Sequence, residues 1–326
     1  MAAFTRDTFV VFDDQFQTGM WERIAQNTQA FNVASNNALV LQSESLKGDY
    51  SISTIFEKLN EDAITRRDPS SLSVATAYDI EQLEVASVNL HRRFGPVKKT
   101  LNSWYQIGQT PEMLSMLVGQ MAGDLKAAKM VNTLLSAVTA ALSGQSDIIH
   151  DATGASTKTL TTDHLVSGMS KMGDAFQRLA CWVMHSKPYF NLVGNQVADK
   201  MDSVAGLIVY GGTPATLGKP VVVIDSPALT DGATAPIYSV LGLVQGAGVI
   251  KDHEQGPVAY DVVTGLENLM GVVQSEFMLS VGVKGFTWDV LNGGANPTDA
   301  DLATSGNWDV VASSLKDAAG VLIKVQ

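Results

Sequence analysis

Residues 111–142, PEMLSMLVGQMAGDLKAAKMVNTLLSAVTAAL, form the longest uninterrupted helical pattern in the chain. Thr110 is placed to cap it, Pro111 suits a first turn where its missing N–H would be unpaired anyway, and Glu112 sets negative charge at the positive end of the helix dipole. Gly144 follows at a position where a glycine supplies the left-handed residue that ends a helix. At 1.5 Å per residue the segment is roughly 50 Å long, so the pattern predicts a spine. Leu114, Val118, Met121, Leu125, Ala128, Leu135 and Leu142 share one face, and Met113, Leu117, Met130, Val131, Leu134 and Val138 populate its neighbours, which predicts a mostly buried helix. Gly119 and Gly123 weaken helix propensity, and their predicted use is close approach of another backbone. Asp124, Lys126 and Lys129 at the centre argue against a membrane span.

Working outward, the composition sets bounds. The chain has 326 residues, 45% hydrophobic and 17% charged, which leaves little charge to cover a free surface and predicts extensive subunit contacts. A net charge of -11 disfavours a protein that grips nucleic acid by neutralising phosphates. The single cysteine, Cys181, excludes an intrachain disulfide framework, and CWVM around it reads as a buried strand. The N-terminal stretch has no basic region followed by an apolar run and a small-residue cleavage site, so synthesis and use in a cytoplasm are expected.

Residues 1–46 carry short apolar clusters separated by Asn, Gln and Ser, and read as an extended arm with at most one short helix, ordered by lying on another surface. In 47–100, YSISTIFEKL and LEVASVNLHRRFGPVKK alternate like two strands around a turn at Asp68-Pro69-Ser70-Ser71. Arg66, Arg67, Arg92 and Arg93 interleave there with Glu57, Glu61 and Asp62. The hairpin has two readings: a solvated excursion, or a loop that lays alternating charges on an adjacent subunit, for which these seven residues are the intersubunit candidates.

Beyond the spine, Thr162 or Asp163 is placed to cap an amphipathic helix HLVSGMSKMGDAFQRL. ACWVMHS is a strand, NLVGNQVADKM a helix, and LIVY and VVVIDSP are further strands of a mixed α/β layer. From Ile237 the chain is strand-rich, Trp308 falls in a short helical or turn segment, and GVLIKV is a closing strand.

Enzyme signatures are missing. There is no GxSxG, GxxxxGK[ST] or HExxH motif, and GLVQGAGV has no helix after it of the length a dinucleotide site needs. Asp225 at a strand end reads as a capped turn, and His185-Ser186 with Asp174 lacks any further support as a triad. The five histidines show no metal-ligand spacing, so no catalytic, cofactor or metal residue is assigned.

The order of parts, with LGKPVVVIDSP, YSVLGLVQGAGVI, SEFMLSVGVKGFTWDV and above all NPTDADLATSGNWDVVASSLKDAAGVLIKV, resembles the tailed-bacteriophage major capsid proteins of HK97-like fold grouped as major-capsid-protein-13-like. The resemblance implies an α+β fold with an N-terminal arm (1–46), an extended loop (47–100), a peripheral domain (101–160 and 246–326, with its spine at 111–142) and an axial α/β domain (161–245). It implies a virion protein assembled in the host cytoplasm that self-associates as hexamers and pentamers. The implied partners are a separate scaffolding protein, a portal and decoration proteins, with double-stranded DNA enclosed without specific binding and no membrane contact. Two other functions fit the residues: a phage-derived nanocompartment shell enclosing protein cargo, and a cytoplasmic α/β enzyme using Asp225 and His185.

Overall fold

The computed structural model describes residues 6–56, 64–67, 69–70, 74, 82–100, 111–203, 216–232, 235–253, 256–265 and 267–326. The expected spine is present as a helix over Pro111–Ser143, preceded in the chain by a second long helix, Arg6–Ala34; these are α2 and α1. The shorter helices are α3 (Thr162–Ser170), α4 (Ser186–Ser203), α5 (Val290–Gly293) and α6 (Asp299–Leu302).

The first sheet joins β1 (Leu39–Ser43), β2 (Tyr50–Phe56), β3 (Gln82–Thr100), β9 (Gly248–Asp252), β10 (Val258–Val263) and β11 (Met270–Val283). β3 is the long arm of the predicted hairpin. Its first part pairs antiparallel with β2, from Tyr50↔Val88 to Phe56↔Gln82, and its remainder runs along β11. The opposite edge of β11 is shared by β10 and β9.

The second sheet has the order β4 (Ile149–Asp151), β14 (Gly320–Val325), β8 (Ile237–Val244), β5 (Leu179–Met184) and β6 (Val221–Val223), with β7 (Thr230–Asp231) on β8. Every residue of β5 is buried, as its unbroken apolar run requires when both faces are covered. β4 and β14, from segments expected to be peripheral, lie in this sheet with the expected axial strands; strand pairing therefore cuts across the division at 161 and 245.

One core runs from sheet to sheet through the C-terminal half of α2. Leu134, Val138 and Leu142 pack with Leu39 and Leu90 of the first sheet and with Trp182, Leu241 and Leu322 of the second. A smaller cluster, Phe16, Met20, Ile24, Ala122 and Val273, fastens α1.

Four expectations are corrected. Residues 6–34 are a 29-residue helix where an extended arm was expected. Its buried positions Phe16, Met20 and Ile24 recur every four residues, a seam too narrow to stand out among Asn and Gln. Gly144 does not adopt a positive φ; Gln145 N donates to Leu142 O at 3.1 Å and the chain passes into a 3-10 turn at Ser146–Ile148. α3 is capped by Thr161, whose hydroxyl accepts from His164 N, and stops at Ser170 before a 3-10 segment at Gly173–Arg178. Trp308 begins a short strand, β13 (Trp308–Val310), paired with β12 (Phe286–Trp288), so Trp288 and Trp308 stand opposite each other.

The spine is also less buried than its pattern predicts. Met121, Leu125 and Ala128 are exposed, although the expected face also includes the buried Leu135 and Leu142. The straight face slips off the core because α1 occupies only one side of the helix's first half. The Thr110 cap, the LIVY strand, and Glu57, Glu61 and Asp62 lie outside the described residues.

Candidate assembly surface

Three elements meet around the middle of α2, beginning with α1. A Cβ placed on Gly119 would stand 2.3 Å from Phe16 O, and one on Gly123 would stand 2.9 Å from Met20 O. Gly19 on α1 faces Met116 O in the same way, at 2.7 Å. The two helices thus touch backbone to backbone, which only residues without a side chain allow. Below this seam Asp124 Oδ1 accepts from Arg23 Nε and Asn27 Nδ2, each at 2.7 Å. The hydrogen bonds from Arg23 and Asn27 hold the Asp124 carboxyl below its usual range.

The second element is the first sheet. Lys126 Nζ lies 2.7 Å from Asp252 Oδ2 at the end of β9. The ammonium also sits over the rings of Phe277 (4.9 Å) and Trp21 (5.3 Å), so one cation ties α2 to α1, β9 and β11. Burial pushes the Asp252 carboxyl up, with Lys126 opposing that shift.

The third element is the late stretch NPTDADL. Thr298 and Asp301 form a capping box that starts α6, and Trp308 Nε1 donates to Leu302 O at 3.1 Å. The folded turn presents Asp299 to Lys129 of the spine and to Arg92 of β3. Arg92 also donates to Pro297 O at 2.9 Å and to Asn296 Oδ1 at 3.2 Å. Burial raises the Asp299 pKa, but Lys129 and Arg92 hold it below the usual value. The most distinctive sequence motif is therefore a latch between hairpin strand and spine.

This geometry separates the sequence candidates. Arg92 is committed within the subunit, whereas Arg93 is exposed opposite Glu276 and makes no ion pair among the described residues. Arg66 and Arg67 are exposed and likewise make no ion pair among the described residues. Gly119 and Gly123 lie in the α1 seam. Sequence reading missed Lys126 and Asp252 as a pair, because 126 residues separate them and only the fold brings β9 to the spine.

Along the outer side of α2, Leu117, Met121 and Leu125 are 50%, 58% and 61% exposed at four-residue spacing. Apolar side chains repeated along one exposed helix face mark an interaction surface.

The alternative catalytic constellation does not assemble. Asp174 pairs with Lys316 at 2.6 Å, away from His185. Asp225 lies 3.4 Å from His185 Nδ1, but Ser186 Oγ approaches that same nitrogen at 3.4 Å. A triad needs acid and nucleophile on opposite ring nitrogens. Asp225 instead accepts from Ser186 N at 2.9 Å in the first turn of α4, while the local turn expected at Asp225 is capped by Ser226, whose hydroxyl accepts from Ala228 N. Gly246 takes a left-handed turn (φ 66) between β8 and β9, with no helix following, so GLVQGAGV is a strand connection. Among the described residues no three His, Cys, Asp or Glu side chains cluster for a metal, and no helix is long and apolar enough to cross a membrane.

A long spine between two sheets, a charged hairpin and an exposed apolar helix face define a shell-forming subunit of the HK97-like capsid fold. The chain belongs to the major capsid protein 13-like family, whose model matches residues 8–322. Among solved structures it is similar to that of Mycobacterium phage Adephagia (TM-score 0.53, 11% identity, covering 90% of this chain and 89% of that one). It is also similar to the Cyanophage Pam1 capsid asymmetric unit (TM-score 0.50, 14% identity, 75% and 84% covered). No curated protein sequence matches it. The chain is a capsid protein and a virion component, assembling with copies of itself.

Proposed function

We propose that the chain is the major subunit of an icosahedral phage shell, associating as hexamers and pentamers around double-stranded DNA that it encloses without specific binding. The observation that carries this reading is the exposed stripe Leu117, Met121 and Leu125 on a spine whose other side is already filled by α1. A single subunit leaves that face in water; a neighbouring copy removes it. Arg66, Arg67 and Arg93, exposed and unpaired among the described residues, supply charge for register, with Glu57, Glu61 and Asp62 as the acidic counterparts. The net charge of -11 favours containing DNA over adhering to it.

In this reading the subunit has no catalytic role, is built in the host cytoplasm, and relies on a separate scaffolding protein, a portal and decoration proteins. The arm, loop, peripheral and axial regions act as parts of one subunit, with residues 161–245 as the axial region and α2 as the strut toward the hairpin.

Electron microscopy of the expressed protein, alone and with its scaffold, tests the proposal. Closed shells with sixfold and fivefold capsomers are expected, and Met121→Gln with Leu125→Gln should abolish them while leaving a folded subunit. Persistent monomer with scaffold present would overturn the reading, and particles enclosing only protein cargo would assign the chain to a nanocompartment.

A further inference from the structure

We propose that His150 and His164 form a two-histidine site for a divalent transition-metal ion of the zinc, nickel or copper class. The site is independent of the shell reading. His150 lies in β4 and His164 in the first turn of α3, and the fold brings His150 Nε2 to 3.2 Å from His164 Nδ1. Their ring centroids are 5.4 Å apart.

The tautomers follow from the neighbours. His164 Nε2 faces the Thr157 carbonyl oxygen at 2.9 Å, and a carbonyl only accepts, so this nitrogen carries the proton. Nδ1 of His164 is then a bare lone pair aimed at His150. A ring N–H held by a backbone carbonyl is the outer-shell arrangement that orients metal-ligating histidines. With metal–nitrogen bonds of about 2.0–2.1 Å, an ion bridging two nitrogens at the observed separation subtends roughly 100°, close to tetrahedral. Each ring turns by some tens of degrees to swing its lone pair off the nitrogen–nitrogen line toward the ion. His150 only transfers its proton from Nε2 to Nδ1, so binding releases none, and water completes the coordination at these half-exposed rings.

The surrounding charges are mixed. Asp151 on β4 favours a cation, while Lys171 at the end of α3 opposes one, and Lys324 of β14 partly offsets Asp151. The remaining histidines are differently engaged: His91 and His185 each face one carboxylate, and His253 Nδ1 accepts from Leu46 N. A bound ion would staple β4 to α3 and close the connector at 152–161.

The test is calorimetric titration of the full-length subunit with Zn2+ or Ni2+. One ion per chain is expected, with His150→Ala and His164→Ala each weakening binding about tenfold or more and His91→Ala leaving it unchanged. Lys171→Met should tighten binding, a gain that misfolding does not produce. Absence of saturable binding by the native chain, or binding undiminished in the His150→Ala/His164→Ala double variant, overturns the site.

Discussion

Lys126 Nζ lies 2.7 Å from Asp252 Oδ2, joining the middle of the spine to the end of β9 where the two side chains are only 6% and 3% exposed. Removing one partner of such a pair leaves an uncompensated buried charge, which costs about 3–5 kcal/mol. Lys126→Met, which strands the buried Asp252 carboxylate, should lower thermal stability by that order, whereas Asp252→Asn, which also removes the carboxylate's burial penalty, should cost less. The double variant Lys126→Met/Asp252→Leu should recover most of it, because apolar replacement removes both desolvation penalties. A double variant no more stable than the worse single one would show that the pair is not the coupled unit described.

The glycine seam predicts a graded response. Gly119→Ala places a methyl against Phe16 O at 2.3 Å and should cost about 1–3 kcal/mol, by pushing α1 off the spine. Gly123→Ala meets Met20 O at 2.9 Å and should cost less. Hydrogen exchange localises the effect: faster exchange is expected in α1, with the second sheet unchanged.

Charge substitution should divide the arginines into two groups. Arg92→Glu breaks the latch to Asp299, Pro297 and Asn296, and should destabilise the isolated subunit. Arg93→Gln, which avoids a like charge opposite Glu276, and Arg66→Glu/Arg67→Glu should leave subunit stability within about 0.5 kcal/mol and impair particle formation. Denaturant unfolding beside sedimentation of assembled particles reads both quantities. Normal particles from the second group would remove these residues from the contact.

Much of this organisation was readable in the sequence because it rests on local pattern. The spine, the two hairpin strands, the buried strand around Cys181 and the glycines facing α1 each follow from periodicity or residue size. What the pattern hid came from distance in the chain. Lys126 and Lys129 read as evidence against a membrane, while their partners Asp252 and Asp299 lie far downstream. The α1 helix was obscured because a seam of Phe16, Met20 and Ile24 against glycines needs few apolar residues. Gly144 met the statistical rule for a helix stop, yet the following 3-10 turn satisfies the terminal carbonyl without a left-handed residue.

Acid titration should show two opposing contributions. The Asp124 and Asp299 carboxyls sit below their ordinary value of 3.8, so their stabilisation is present above that value and is lost as pH falls through the folded pKa. Asp252 is raised, so its burial penalty is complete above its folded pKa and is relieved as pH falls. The Lys126→Met/Asp252→Leu variant, lacking the second contribution, should lose stability more steeply in acid than the native chain. Melting temperatures across pH 3–7 decide it, and a shallower slope would contradict the assignment.

Burial pushes the Cys181 thiol up to about 12, leaving almost no thiolate at neutral pH. Thiol alkylation should therefore be negligible in the folded subunit and complete in denaturant, as read by mass spectrometry. Rapid labelling of the native protein would place β5 nearer the surface than described.

The position of β14 has a kinetic consequence. It inserts between β8 and β4, its Leu322 pairing with Ile149 about 170 residues earlier. Contacts so distant in sequence close late and slowly. Until they do, β8 has an open edge and the core beneath the spine is unsealed. Docking of β14 thus covers the edge of β8 and seals the core, and it is expected to be the slow step in completing the subunit.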